Sequence, residues 1–288
     1  MDISEPRLAV KPSFSPAELR DLDALVGEAN WNQLAADWRV FIEHGRVHVA
    51  HTAAGRIVAA TATLPYGGRF AWISMVLVAG EYRRRGLATS LLRQAMDELA
   101  AARLVPVLDA TPEGRAVYRR LGFTDSWGFH RLVRRERQRA AEPPPERTIV
   151  RPIGDADWPA VSAYDASAFG AERGAVLAGL RGRLPAAELI AERDGRVAGF
   201  LLGRDGRLAQ HLGPLIAQDE AIACALLDRA LDALAGPVFI DFADAKTQDF
   251  LAARGFTAVR PFTRMLYGTA TRFDDHARTF AVIGPEFG

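Results

Sequence analysis

Apolar residues recur at two different periods along this chain, and the switches between them mark its elements. From Phe70 to Val78 the run is nearly continuous and of strand length. It passes into three successive arginines, Arg83, Arg84 and Arg85, and then into Gly86-Leu87-Ala88. Beyond that point Leu87, Leu91, Leu92, Ala95, Met96 and Leu99 share one face of a helix. A strand feeding a small-residue turn at a helix N-terminus is a ready anion site. Unpaired N–H groups converge there, the helix dipole adds positive potential, and small side chains let an oxygen approach. The loop from Arg83 to Thr89 is therefore expected to hold a phosphate or pyrophosphate.

The same reading places elements on both sides. Ser15-Pro16 is a helix start, with a helix through about Val26, and a second helix runs from Trp31 to Glu43 after the Gly27 break. Strands Arg46 to Thr52 and Arg56 to Leu64 meet across Ala53-Ala54-Gly55, and Tyr66-Gly67-Gly68 makes the next turn. Downstream, VPVLD is a strand ending at Asp109; the helix after it carries Tyr118, and a strand from Trp127 to Val133 follows Gly122-Phe123. Residues 1–13 are polar and proline-punctuated, expected as a flexible tail. The charged, triple-proline stretch over residues 135–147 is expected as a linker. It divides the chain into domains 14–134 and 148–288.

The second half repeats the first. A shift of 135 positions carries the six apolar positions of the helix onto Ile222, Leu226, Leu227, Ala230, Leu231 and Leu234, and all six are apolar again. His211 to Ala217 and Val238 to Phe242 then stand as the equivalent strands. The copies part where an anion would sit. Ala221 stands over Gly86, and Asp219 and Glu220 over Arg84 and Arg85; Leu251 replaces Tyr118. Only the first copy is therefore expected to bind an anionic cofactor productively.

Composition narrows the class. With 288 residues, 49% of them hydrophobic, each half has enough apolar material for a core. Thirty-six basic against 35 acidic side chains give no bulk attraction to nucleic acid. The basic run Arg131, Arg134, Arg135, Arg137 and Arg139 reads as a solvated linker. A single cysteine, Cys224, forms no intramolecular disulfide and no thiolate metal cluster, and its place on a helix suggests a small core residue. His44, His48 and His51 alternate across a strand and cannot share one pocket, so no metal is expected. No 18-residue apolar stretch and no signal-like start is present, which points to a cytoplasmic protein with no membrane contact.

Arg83, two residues, Gly86, one residue, Ala88, set between a strand and a helix and followed by VPVLDATPEGRAVYRRLGF, resembles the pyrophosphate loop and its sequel in the GCN5-related N-acetyltransferases (GNAT). WNQ, the YGG turn, AWISMVLV, LDATPEGR and a degenerate second copy ending GPEFG resemble a bacterial tandem type whose second half is YitH-like. The resemblance implies an α+β fold of two tandem GNAT domains. Each would be a twisted mixed sheet flanked by helices, with its fourth and fifth strands splayed around an acyl thioester.

It also implies acetyl-CoA as co-substrate. Arg83, Arg84, Arg85, Gly86, Leu87, Ala88 and Thr89 would lie on the pyrophosphate, and Val76, Leu77 and Val78 along the pantetheine arm. Tyr118 matches the family's proton donor to the leaving thiolate, and Asp109 at the end of its strand is the leading candidate for base. Trp31, Asn32, Gln33, Tyr66 and Trp72 suit an acceptor wall, with Asp241 as part of an acidic wall from the second half, beside Ser162, Tyr164, Asp165 and Asp244. The expected activity is transfer of an acetyl or other short acyl group to the primary amine of a small molecule or amino acid. It would run in the first domain, in a monomer or homodimer, with the second domain shaping the acceptor site. A non-catalytic module that binds acyl-CoA and regulates a partner is the alternative.

Overall fold

The structure, a computed structural model, describes residues 5–136, 148–243, 247–269 and 271–288. The first half runs β1 (Arg7–Lys11), α1 (Pro16–Glu28), α2 (Ala35–His44), β2 (Arg46–His51), β3 (Ile57–Tyr66), β4 (Phe70–Val78), α3 (Leu87–Ala101), β5 (Val105–Ala110), α4 (Pro112–Arg120) and β6 (Phe123–Arg134). The second half repeats that order as β7 (Thr148–Pro152), α5 (Trp158–Phe169), α6 (Gly174–Leu180), β8 (Leu189–Arg193), β9 (Arg196–Arg204), β10 (Gln210–Ala217), α7 (Glu220–Ala233), β11 (Val238–Phe242), α8 (Gln248–Ala253) and β12 (Thr257–Tyr267). It then adds β13 (Thr279–Val282).

Local signals set most of these elements as the pattern predicts, but α2 begins at Ala35, four residues after the expected Trp31. Ser15 caps α1 in a reciprocal capping box with Glu18. In α3 the buried face is Leu87, Leu91, Leu92, Ala95 and Leu99, and in α7 it includes Ile222, Leu226, Leu227, Ala230 and Leu231. The expected flexible tail is corrected in part: Arg7–Lys11 pairs antiparallel with β2 over five residues, so a short edge strand ties it down. Most of the expected linker, with Arg137 and Arg139, lies outside the described residues.

The strands form one sheet in the order β1-β2-β3-β4-β5-β12-β6-β11-β13-β10-β9-β8-β7. Each half has handed its last repeat strand to the other. β12, from the second half, lies between β5 and β6, while β6, from the first, lies between β12 and β11. The boundary at the linker thus divides the chain but not the sheet. Reciprocal ion pairs lock this exchange. Asp109 on β5 faces Arg264 on β12, with bonds of 2.9 and 3.0 Å; Asp241 on β11 faces Arg131 on β6, with bonds of 2.8 and 2.6 Å.

Arg131 and Arg134 are therefore not solvated linker residues. Both are buried on β6, and Arg134 donates to the carbonyls of Leu231 and Leu234 at the end of α7. Cys224 is half-buried rather than part of the core. The main hydrophobic core also ignores the boundary, joining Trp38, Phe41 and Tyr66 to Val176, Leu177 and Phe287.

Candidate functional site

β4 and β5 run parallel only from Phe70–Trp72 against Val105–Val107, and then part. From Ile73 onward β4 has no strand partner on that side, while β5 continues along β12 on its other edge. On its other side β4 slips register against β3 between Ala60 and Ala62, and Met75 takes φ of +53°. A non-glycine residue in that region is strained, and such strain gathers where the backbone is held for a purpose. Here it breaks the ladder and re-aims the peptide groups beside the opening.

That opening is a cavity of about 220 Å³. One side is β4 from Ile73 to Val76; opposite stand Leu108 and Asp109 of β5, then Thr111, Gly114 and Tyr118. Trp31 and Gln33 from the segment before α2 also line it, with Arg131, Arg260, Phe262, Pro285 and Glu286. Tyr118 lies on α4, its ring edge-on to Phe123 at 6.0 Å, and burial pushes its phenol up to about 12. It is therefore protonated at neutral pH.

At the outer end of β4, α3 begins at Leu87 after Gly86, whose φ is +82° and whose Cα faces open space. No side chain caps this helix, so its first N–H groups remain available to an anion. Arg83 folds back on the strand end, bonding the Val78 carbonyl at 3.1 Å and Glu28 at 3.2 Å, and Arg85 bonds the Glu81 carbonyl at 2.8 Å. Arg84 is exposed, with φ of +60°. The loop thus offers backbone donors and a positive rim, the donor set a pyrophosphate needs.

The second half closes both features. β10 and β11 pair parallel only from Gln210–Leu212 against Val238–Ile240, so they splay as β4 and β5 do. β13 fills the gap, pairing Leu215 with Ala281 on one side and Asp241 with Val282 on the other. α7 starts at Glu220, two positions before the equivalent of Leu87, and the Asp219 carboxylate accepts from the Ile222 N–H at 3.0 Å. An acid of the chain itself occupies that helix N-terminus, held in place by Arg193 at 2.6 Å.

The remaining candidates divide. Trp31 and Gln33 reach the cavity, whereas Asn32 turns away and clamps the second half, donating to the Ala209 carbonyl and accepting from the Leu208 and Ala209 N–H groups. Tyr66 and Trp72 are core residues, not acceptor wall: the Tyr66 hydroxyl donates to the Phe287 carbonyl at 2.9 Å and Trp72 Nε1 to that of Pro285 at 3.2 Å. Asp241 is buried behind Arg131, and Asp165 is buried against Arg173. Tyr164 donates to the Ala198 carbonyl, so no acidic wall forms from these residues; Asp244 lies outside the described residues.

Asp109 borders the cavity, but both its oxygens accept from Arg264, whose guanidinium lies 4.5 and 4.3 Å from the Trp72 and Trp127 ring centres. Burial pushes its carboxyl up to about 6 against the pull of Arg264. A carboxylate so engaged positions β5 against β12, and neither of its oxygens is left without a donor. Sequence reasoning missed Arg260, Phe262 and Glu286 because each reaches the site from the other half's last repeat strand or from the chain's last residues, and it read Arg131 as linker although β6 carries it to the cavity. The apolar run Phe280–Ile283 before GPEFG was the available signal for a further buried strand.

Comparison with known proteins adds the decisive observation. Two models, each described as an acetyltransferase (GNAT) domain, match residues 43–125 and 161–281. The chain belongs to the GNAT acetyltransferases. Among its relatives, the uncharacterized N-acetyltransferase YitH of Bacillus subtilis is 25% identical over 240 residues, covering 81% of this chain and 82% of YitH. A solved structure from Pyrococcus horikoshii superposes with TM-score 0.76 at 20% identity, covering 98% of this chain and 96% of that one. A tandem GNAT protein from the clavulanic acid biosynthesis pathway gives 0.61 at 14%, covering 91% and 98%. The likeness to these two structures is one of fold, and it extends across both GNAT halves.

Proposed function

We propose that the protein is an acyl-CoA-dependent N-acyltransferase whose chemistry runs in the first half alone, moving an acetyl or short acyl group directly to a primary amine of a small molecule. The observation that carries this reading is the alignment along β4 of three features, the uncapped start of α3 beyond its end, its edge unpaired from Ile73, and the cavity bordered by Tyr118. GNAT family membership supports the donor, and the residues present fit it. Backbone N–H groups from Gly86 to Thr89 hold the pyrophosphate, and the free edge of β4 over Val76, Leu77 and Val78 receives the pantetheine amides as an added strand would.

The thioester then lies beside the strained backbone of Met75. A β4 N–H aimed at its carbonyl oxygen stabilises the oxyanion that develops on attack, an effect of about 3 to 4 kcal/mol where such donors have been removed. Tyr118 supplies the proton that the departing sulfur takes up. The same burial that raises the phenol also disfavours a bare thiolate, so proton transfer accompanies C–S cleavage. The second half contributes walls rather than a second centre, because β13 and Asp219 occupy its equivalent gap and helix start.

The test is release of free thiol from acetyl-CoA with a panel of small primary amines, read beside mass-spectrometric detection of the N-acetyl product. Equal amounts of thiol and product support the reading. Tight acetyl-CoA binding with no product from any amine would favour a regulatory acyl-CoA binder.

A further inference from the structure

Four polar atoms of residues bordering the cavity have no hydrogen-bond partner among the described residues: Gln33 Oε1, Ser74 Oγ, Arg260 Nε and Glu286 Oε2. Their owners are firmly placed, with Gln33 3%, Ser74 7% and Glu286 2% exposed. Arg204 holds the other oxygen of Glu286 and is itself paired with Asp37 at 2.7 Å. The segment that brings Glu286 in is pinned on both sides, by Tyr66 to Phe287 and by Trp72 to Pro285. Leaving a buried carboxylate oxygen and an amide oxygen without donors costs stability, so such atoms in a cavity mark where a ligand's donors belong.

Charge around the cavity points the same way. Asp109 is answered by Arg264, Arg131 by Asp241 and Glu286 by Arg204. Arg260 has no carboxylate within 4 Å among the described residues; its guanidinium rests 4.9 Å from the Phe262 ring centre. Burial and the neighbouring charge of Arg131 pull it below its ordinary value, and an anion bound there relieves that repulsion.

We propose that the acceptor is a small zwitterion of the amino-acid type, its ammonium received by Glu286 Oε2 and Gln33 Oε1 and its carboxylate by Arg260, with Glu286 taking the amine's proton. This rests on the transferase reading above. As an ammonium becomes an amide, its nitrogen gives up two protons while the N–C bond forms and the C–S bond breaks. One proton passes to Glu286 and on to water; the other replaces the proton that Tyr118 gives to sulfur, so acyl-CoA and ammonium become amide, free thiol and one released proton.

The experiment pairs each standard amino acid with its decarboxylated amine, and measures both binding to the protein and acetylation with acetyl-CoA. Wild type is expected to favour the amino acid in kcat/KM by about a hundredfold, a preference lost in Arg260→Met and kept in part by Arg260→Lys. Glu286→Gln, checked for an intact thermal transition, is expected to lower kcat at unchanged acetyl-CoA affinity. Amino-acid binding that Arg260→Met abolishes, without turnover, would uphold the zwitterion site while removing the transferase reading. Acetylation of the decarboxylated amines as readily as the amino acids, or unchanged kcat in Glu286→Gln, would overturn the proposal and leave the transferase standing. Failure of every amino acid to bind or react would also overturn it.

Discussion

Two clefts of one ancestry lie side by side in this sheet, and they differ in what fills them. Both follow a central strand that parts from its parallel neighbour after three residue pairs. In the first, the gap is left as a cavity and the helix beyond starts uncapped at Gly86. In the second, β13 completes the sheet and Asp219 caps the helix. The same residues that close one cleft serve the other, since the chain leaving β13 supplies Pro285 and Glu286 to the first cavity. The second repeat thus closes its own cleft with the strand whose continuation lines the cleft of its twin.

Equivalent positions offer the sharpest way to break that comparison. Tyr118→Phe is expected to lower turnover by about 10² to 10⁴ with acetyl-CoA affinity unchanged, the usual range for a lost acid catalyst. At the equivalent Leu251, fully buried in the second core, an alanine is expected to cost about 2 to 5 kcal/mol of stability and no turnover per folded molecule. Steady-state kinetics beside a urea titration separates the two. Equal effects on turnover would mean that both clefts act.

The reciprocal ion pairs differ in sign with pH. Asp109, raised to about 6 by burial, binds its proton more tightly in the folded state than in the unfolded one, so its contribution to stability falls as pH rises between about 4 and 6. The expected loss is up to about 3 kcal/mol, from roughly two pKa units. Burial raises Asp241 as well, but Arg131 and His211 overcome it and hold its carboxyl below the usual carboxylate range. Its contribution is present above the unfolded value and lost as pH falls below about 4. Measured from pH 3 to 7 against Asp109→Asn and Asp241→Asn, the wild-type stability differences should slope in opposite directions. Parallel slopes would show that the two pairs are equivalent.

The smallest effect is at the cap. Asp219→Ala is expected to cost about 1 kcal/mol in chemical denaturation, the worth of a lost N-cap, without creating a second acetyl-CoA site. A new site appearing in that variant would mean that β13 does not close the second cleft.

What the sequence disclosed were the features written locally. The apolar face of α3 and the small residues at its start each follow from neighbours a few positions apart, and the repeat needed only a shift of 135 positions. The strand exchange was not legible in this way. Nothing in Trp127–Val133 or Thr257–Tyr267 says whether a strand closes its own half or the other, because an antiparallel edge accepts either partner. Arg131 looked like one member of a charged run because Asp241, which buries it, lies 110 residues away. β1 was missed for a different reason: five residues with two charged ends are too short a pattern to stand out from a tail.

Calorimetric titration of acetyl-CoA into wild type, Gly86→Glu and Ala221→Glu tests the central claim most directly. The variants place the same charge at equivalent helix starts. One site per chain is predicted, lost in Gly86→Glu and untouched in Ala221→Glu. Two sites in the wild type, or a single site that only Ala221→Glu removes, would contradict the assignment of the open cleft to the first half.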